Sequence, residues 1–223
     1  MAVNTDQYLS ITAGLKKKNV ALVAVSKIKP VEDILEMYQL GQRDFGENYV
    51  QELADKQTRL PDDIRWHFIG HLQGNKVKYI APFVHLIQGV DSFKLLTEIN
   101  KQAQKNNRVI DCLLQVHVAE EDTKFGFDER ELLELVQSEQ LTALKHIRIT
   151  GLMGMASFSD DENKVRGEFR KLKQLFDTVA ASPVGGPAFT ILSMGMSGDY
   201  EMAIEEGSTL VRIGSLLFGA RVR

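Results

Sequence analysis

The sequence predicts an α/β fold closed into a single (β/α)8 barrel. Short, β-branched apolar runs alternate with longer amphipathic, charge-rich segments along the whole chain. Eight such runs can be placed, and their spacing is regular from end to end. No glycine-rich dinucleotide fingerprint follows the first run, which argues against the open doubly wound alternative. At 223 residues the chain suits one domain spanning 1–223 around one core.

Taken in order, a helix over 5–17 precedes the first strand at 20–25, which is wholly apolar. Pro30 then opens a helix, with Glu32 and Asp33 in its first turn favouring the positive end of the dipole. Further strands are expected at 43–45, 66–69, 86–90, 109–118, 147–153, 189–194 and 210–213. The clearest helical patterns between them are 92–105, 128–138 and 160–180. The Ser-Pro-Val-Gly-Gly-Pro stretch at 182–187 is a helix-to-strand loop and not a domain boundary.

Composition removes several function classes. A net charge of −3 gives no broad field to draw in nucleic acid or an anionic membrane. The lysines at 16–18 and at 76 and 78 read as solvated helix faces, or as rims that contact a partner enzyme. No apolar run approaches the roughly 18 to 20 residues of a membrane span, and the N-terminus lacks signal-peptide character. Cys112, the only cysteine, sits among apolar residues as a small core thiol, and a cytoplasmic address is expected.

In such a barrel the chemistry lies at the C-terminal ends of the strands. Strand alternation puts Ala21, Val23, Val25 and Lys27 on one face, so Lys27 follows two interior valines into the mouth. An amine partly desolvated there, with Lys29 nearby, is expected to be a ready nucleophile toward an aldehyde. In the last strand Leu210, Arg212 and Gly214 share a face, and an inward arginine requires an anionic or hydrogen-bonding partner. Gly214-Ser215 and the hydroxyls and glycines of 193–199, Ser197 among them, suit an anion such as phosphate. Asn48 either faces the mouth or, with Glu47, caps the next helix. His67, Ile69 and His71 share a face if the third strand runs that far, but no metal-ligand spacing accompanies them and no metal is expected. The repeated Met-Gly-Met at 153–155 and 194–196 reads as soft packing at the barrel mouth.

Several ordered blocks then resemble the pyridoxal-phosphate homeostasis protein family nearly end to end. They are Val-Ala-Val-Ser-Lys-Ile-Lys-Pro at 23–30, Phe-Gly-Glu-Asn-Tyr-Val-Gln-Glu at 45–52 and Trp-His-Phe-Ile-Gly-His-Leu-Gln-Gly-Asn-Lys at 66–76. Gly-Leu-Met at 151–153, Leu-Ser-Met-Gly-Met-Ser-Gly-Asp at 192–199 and the long block at 207–221 complete them. The resemblance implies pyridoxal 5′-phosphate held as a Schiff base on Lys27, with Arg212 on the pyridine nitrogen. It also implies Ser197, Gly214 and Ser215 on the phosphate, and Asn48 near the ring hydroxyl. The implied fold is the barrel of fold type III, similar to the alanine racemase N-terminal domain, with an extra leading helix. No C-terminal β-domain is expected after Arg223.

An arginine on the ring nitrogen leaves it unprotonated, a poor electron sink. The expected role is therefore buffering of the cofactor or its delivery to pyridoxal-phosphate-dependent apoenzymes, by a monomer and without efficient catalysis. A weak amino-acid racemase or a Schiff-base aldolase is the competing expectation. Ile28 and Ser215 stand where the family often has threonine, and Lys29 and Lys124 are left as secondary cofactor or exit sites.

Overall fold

A computed structural model describes residues 3–119 and 125–219. Eight parallel strands close into a barrel in sequence order. They are β1 (Ala21–Val25), β2 (Asp44–Glu47), β3 (Arg65–Phe68), β4 (Leu86–Val90), β5 (Ile110–Val116), β6 (Ile147–Gly154), β7 (Ile191–Ser193) and β8 (Leu210–Ile213). Closure comes from β8 pairing with β1, in the register Val23 opposite Arg212. The helices are α1 (Thr5–Lys17), α2 (Val31–Gln39), α3 (Val50–Gln57), α4 (Val77–Ile80), α5 (Phe93–Lys105) and α6 (Glu129–Val136). After them come α7 (Glu139–Thr142), α8 (Glu162–Ala180), α9 (Tyr200–Glu205) and α10 (Ser215–Phe218).

Local chemistry sets the helix ends. Ser92 Oγ accepts the Leu95 N–H at the start of α5. Asp128 and Glu131 form a reciprocal capping box on α6. Pro30 directly precedes α2, whose first turn carries the anticipated acids. The strand bounds differ from the sequence expectation by a few residues. In β7, residues 189, 190 and 194 fall outside the strand and three residues pair, and β5 is likewise shorter by three.

The core has two parts. The outer faces of the strands meet the helices in the main cluster, where Leu22 and Ala24 of β1 join Phe45, Phe68, Leu96 and Phe169. Inside the barrel, Leu86, Leu113 and Met153 form a small apolar plug. Part of that interior is polar: His67, Gln88, Ser193 and Arg212 are all buried there. Gly151 lets β6 and β7 close on each other, because a Cβ at this position would sit 1.7 Å from the Ile191 carbonyl oxygen.

Candidate functional site

Lys27 stands where β1 alternation predicts. Val23 is fully buried inside the barrel, and Val25 and Lys27 line a cavity of about 600 Å³ at the C-terminal ends of the strands. The backbone on both sides of Lys27 is held by a buried ionic cluster that sequence reading missed. Lys56 of α3 donates to the Ser26 carbonyl (2.8 Å), to Glu47 Oε1 (2.8 Å) and to Glu52 Oε1 (2.6 Å). Ser26 Oγ donates to the same Glu47 oxygen at 2.6 Å, and the Ile28 N–H donates to Glu52 Oε1 at 2.6 Å. The two residues flanking Lys27 are thus tied to one ammonium through two carboxylates.

Burial pushes the Glu47 carboxyl up, against the opposing pull of the Lys56 cation. Ile28 carries a further mark of constraint, with φ at +64° in the left-handed region that β-branched residues avoid. Its side chain is exposed, so the conformation serves the backbone and not the packing of the isoleucine.

Arg212 approaches the cavity from β8. It is 3% exposed, donating through Nη1 to Ser193 Oγ (2.5 Å) and through Nη2 to the Gly154 carbonyl (3.0 Å). Burial pulls its guanidinium down to about 10, partly countered by Asp199, so it keeps its proton at neutral pH. Asn48 lines the same cavity and does not cap α3, whose N-cap residue is Tyr49 and which has no side-chain cap. Its Oδ1 is buried and accepts no hydrogen bond among the described residues.

Ser197, Gly214 and Ser215 line the cavity together. Ser197 Oγ accepts the Gly214 N–H at 3.2 Å, which joins the β7 and β8 loops. Gly195 bends the β7 loop with φ at +94°, where a Cβ would lie 2.6 Å from the Ala203 methyl. Gly198 faces open space and could admit a ligand close to its backbone. All six residues singled out from the sequence, Lys27, Asn48, Ser197, Arg212, Gly214 and Ser215, therefore border one cavity. Met155 and Met196 of the repeated Met-Gly-Met also line it, whereas Met153 lies in the barrel plug and Met194 in the outer core.

Other expectations change. His67 and His71 do not act together, because β3 ends at Phe68 and the chain then leaves the sheet. His67 is buried inside the barrel; His71 is exposed, bonded to Asp91 (2.8 Å) and stacked on Phe125 at 4.0 Å. Lys29 lines the cavity, yet its ammonium donates to the Phe218 carbonyl at 2.6 Å and so closes the end of α10. Lys124 lies outside the described residues.

Asp44, His67 and His85 bring ligand-type atoms within 4.8 Å of one another at the N-terminal end of the barrel. The Asp44 oxygens, however, accept from Arg65 and from His67, so this is a satisfied hydrogen-bond cluster and not a metal cradle. Among the described residues no helix is long and apolar enough to cross a membrane.

Residues 6–222 match the family model described as alanine racemase, N-terminal domain. The pyridoxal phosphate homeostasis protein of Aquifex aeolicus (strain VF5) is 45% identical over 210 residues, covering 94% of this chain and 90% of that one. The solved structure of PipY from Synechococcus elongatus PCC7942 with pyridoxal phosphate bound is 34% identical. It superposes with a TM-score of 0.86 over 96% of this chain and 99% of that one. The same protein without pyridoxal phosphate gives a TM-score of 0.88 at 35% identity, with the same coverage.

Proposed function

This chain belongs to the alanine racemase N-terminal domain family, among the pyridoxal phosphate homeostasis proteins, and from that membership we propose that it binds pyridoxal 5′-phosphate. Its role is to buffer the cofactor or deliver it to apoenzymes. The observation that carries this reading is the convergence of Lys27, Arg212 and the orphan Asn48 Oδ1 on one cavity.

The residues fit the group. Asn48 Oδ1 is a buried acceptor in need of a donor, and the ring hydroxyl is one. Arg212 is a buried donor suited to the ring nitrogen, while Ser197, Gly214 and Ser215 suit the phosphate. When bound, the group supplies an electrophilic aldehyde, and Lys27 is the primary amine this chain brings to it.

The chain's own residues favour holding over turnover. Arg212 retains its proton at neutral pH and can donate to a ring nitrogen without protonating it, which keeps the ring a weak electron sink. The Lys56 cluster fixes the backbone around Lys27, so the segment that carries the amine is set before the ligand arrives. Storage and transfer fit this arrangement better than racemisation or aldol chemistry.

Titration of the purified protein with pyridoxal 5′-phosphate tests the reading. The wild type should develop a visible absorbance band that Lys27→Ala abolishes. A wild type that takes up no cofactor would refute it. Amino-acid or sugar-phosphate turnover near ~10 s⁻¹ would refute the non-enzymatic part.

A further inference from the structure

The polar half of the barrel interior is continuous. From Arg212 Nη1 a hydrogen bond runs to Ser193 Oγ (2.5 Å), and Ser193 Oγ donates to Gln88 Oε1 (2.7 Å). Gln88 Nε2 meets His67 Nδ1 at 3.0 Å, and His67 Nε2 meets Asp44 Oδ1 at 3.0 Å. Asp44 finally accepts from the guanidinium of Arg65, which is half-exposed at the opposite end of the barrel. The path crosses β8, β7, β4, β3 and β2, and Ser193, Gln88 and His67 are each no more than 3% exposed.

The Ser193 hydroxyl accepts from Arg212, so its own proton goes to Gln88 Oε1. That fixes the Gln88 amide nitrogen toward His67, so His67 Nδ1 is an acceptor and the ring proton sits on Nε2, directed at Asp44. Every hydrogen therefore points away from Arg212 and toward a carboxylate. Burial, the largest influence on Asp44, raises its pKa, yet the hydrogen bonds from Arg65 and His67 outweigh it and hold the carboxyl well below the usual range. The far end of the path is thus an anion at neutral pH. Such a chain polarises from link to link and steadies a buried cation that has few charges around it.

We propose that Ser193, Gln88, His67 and Asp44 form a proton-ordered relay that positions Arg212, fixing which guanidinium N–H groups face the cavity and sustaining their donor strength. This rests on the cofactor reading above, in which Arg212 meets the ring nitrogen. Asp44 and His67 would then tune a ligand that neither of them touches.

Two measurements test it. In ligand-free protein carrying ¹⁵N-histidine, His67 should show an unprotonated Nδ1 and a slowly exchanging proton on Nε2. A proton on Nδ1 would overturn the relay. With pyridoxal 5′-phosphate as the probe, Ser193→Ala, a near-isosteric cut that spares the fold, should weaken binding by ~10-fold and shift the bound absorbance band. His67→Phe should do the same, whereas His67→Gln, which keeps an acceptor and a donor in the right order, should stay within ~2-fold of wild type. Cut variants with wild-type affinity and band would overturn the proposal, as would equal defects in His67→Phe and His67→Gln. A wild type that takes up no cofactor refutes the cofactor reading instead, and the His67 tautomer still decides the relay.

Discussion

Replacing Lys56 by methionine isolates the cluster that holds the Lys27 backbone. Lys56 is 4% exposed and makes close contacts to the Ser26 carbonyl, Glu47 and Glu52. Glu47 is 0% exposed, so methionine would leave a buried carboxylate without its cation. Breaking a buried pair from one side costs about 3–5 kcal/mol, equivalent to a fall of roughly 6–20 °C in Tm for a chain of this size. Most of that cost is the stranded charge and not the lost attraction, so Lys56→Met combined with Glu47→Gln should recover the larger part.

The pH dependence has a definite sign. The Glu47 pKa is already raised in the folded protein, and losing Lys56 raises it further. A carboxyl that is more basic folded than unfolded gains stability as pH falls, so the Lys56→Met deficit should shrink between pH 7 and pH 5. Urea unfolding of the wild type, both single variants and the double variant at each pH measures all of this. A Lys56→Met loss under ~1 kcal/mol, or a deficit that grows on acidification, would refute the account of the cluster.

Other outcomes follow from single positions. Ile28→Gly should raise Tm by ~1–3 °C, because relief of a left-handed β-branched residue outweighs the added chain entropy; calorimetry that finds a fall instead would show that φ at +64° is not strained. Cys112 is fully buried and burial drives its thiol pKa far up, so a thiol reagent should label it only in denaturant. Labelling at the native rate of a free thiol would contradict that packing.

The barrel itself was legible because β-branched runs and amphipathic helices report local burial. The inward directions of Lys27 and Arg212 followed from period-two alternation within one strand, and both line the cavity. Alternation failed at His71, since it presumes that the strand continues and β3 stops at Phe68. Asn48 could not be told from a helix cap by type alone; α3 starts at Val50 with Tyr49 as its N-cap residue, which decides it.

The Lys56 cluster and the His67 path were illegible for a different reason. Glu47 and Lys56, or Gln88 and Ser193, look like ordinary polar residues in their own segments. They become partners only when β2 meets α3, or when barrel closure turns distant strands toward one axis. The left-handed backbone at Ile28 had no signal at all, because nothing in an isoleucine suggests positive φ.

The central claim is that Lys27 is the amine through which this chain holds its cofactor. Borohydride reduction of the protein loaded with pyridoxal 5′-phosphate, followed by peptide mapping, addresses it directly. The account predicts one stoichiometric label, on the peptide containing Lys27. A label on Lys29 or Lys124 in its place, or none, would contradict it.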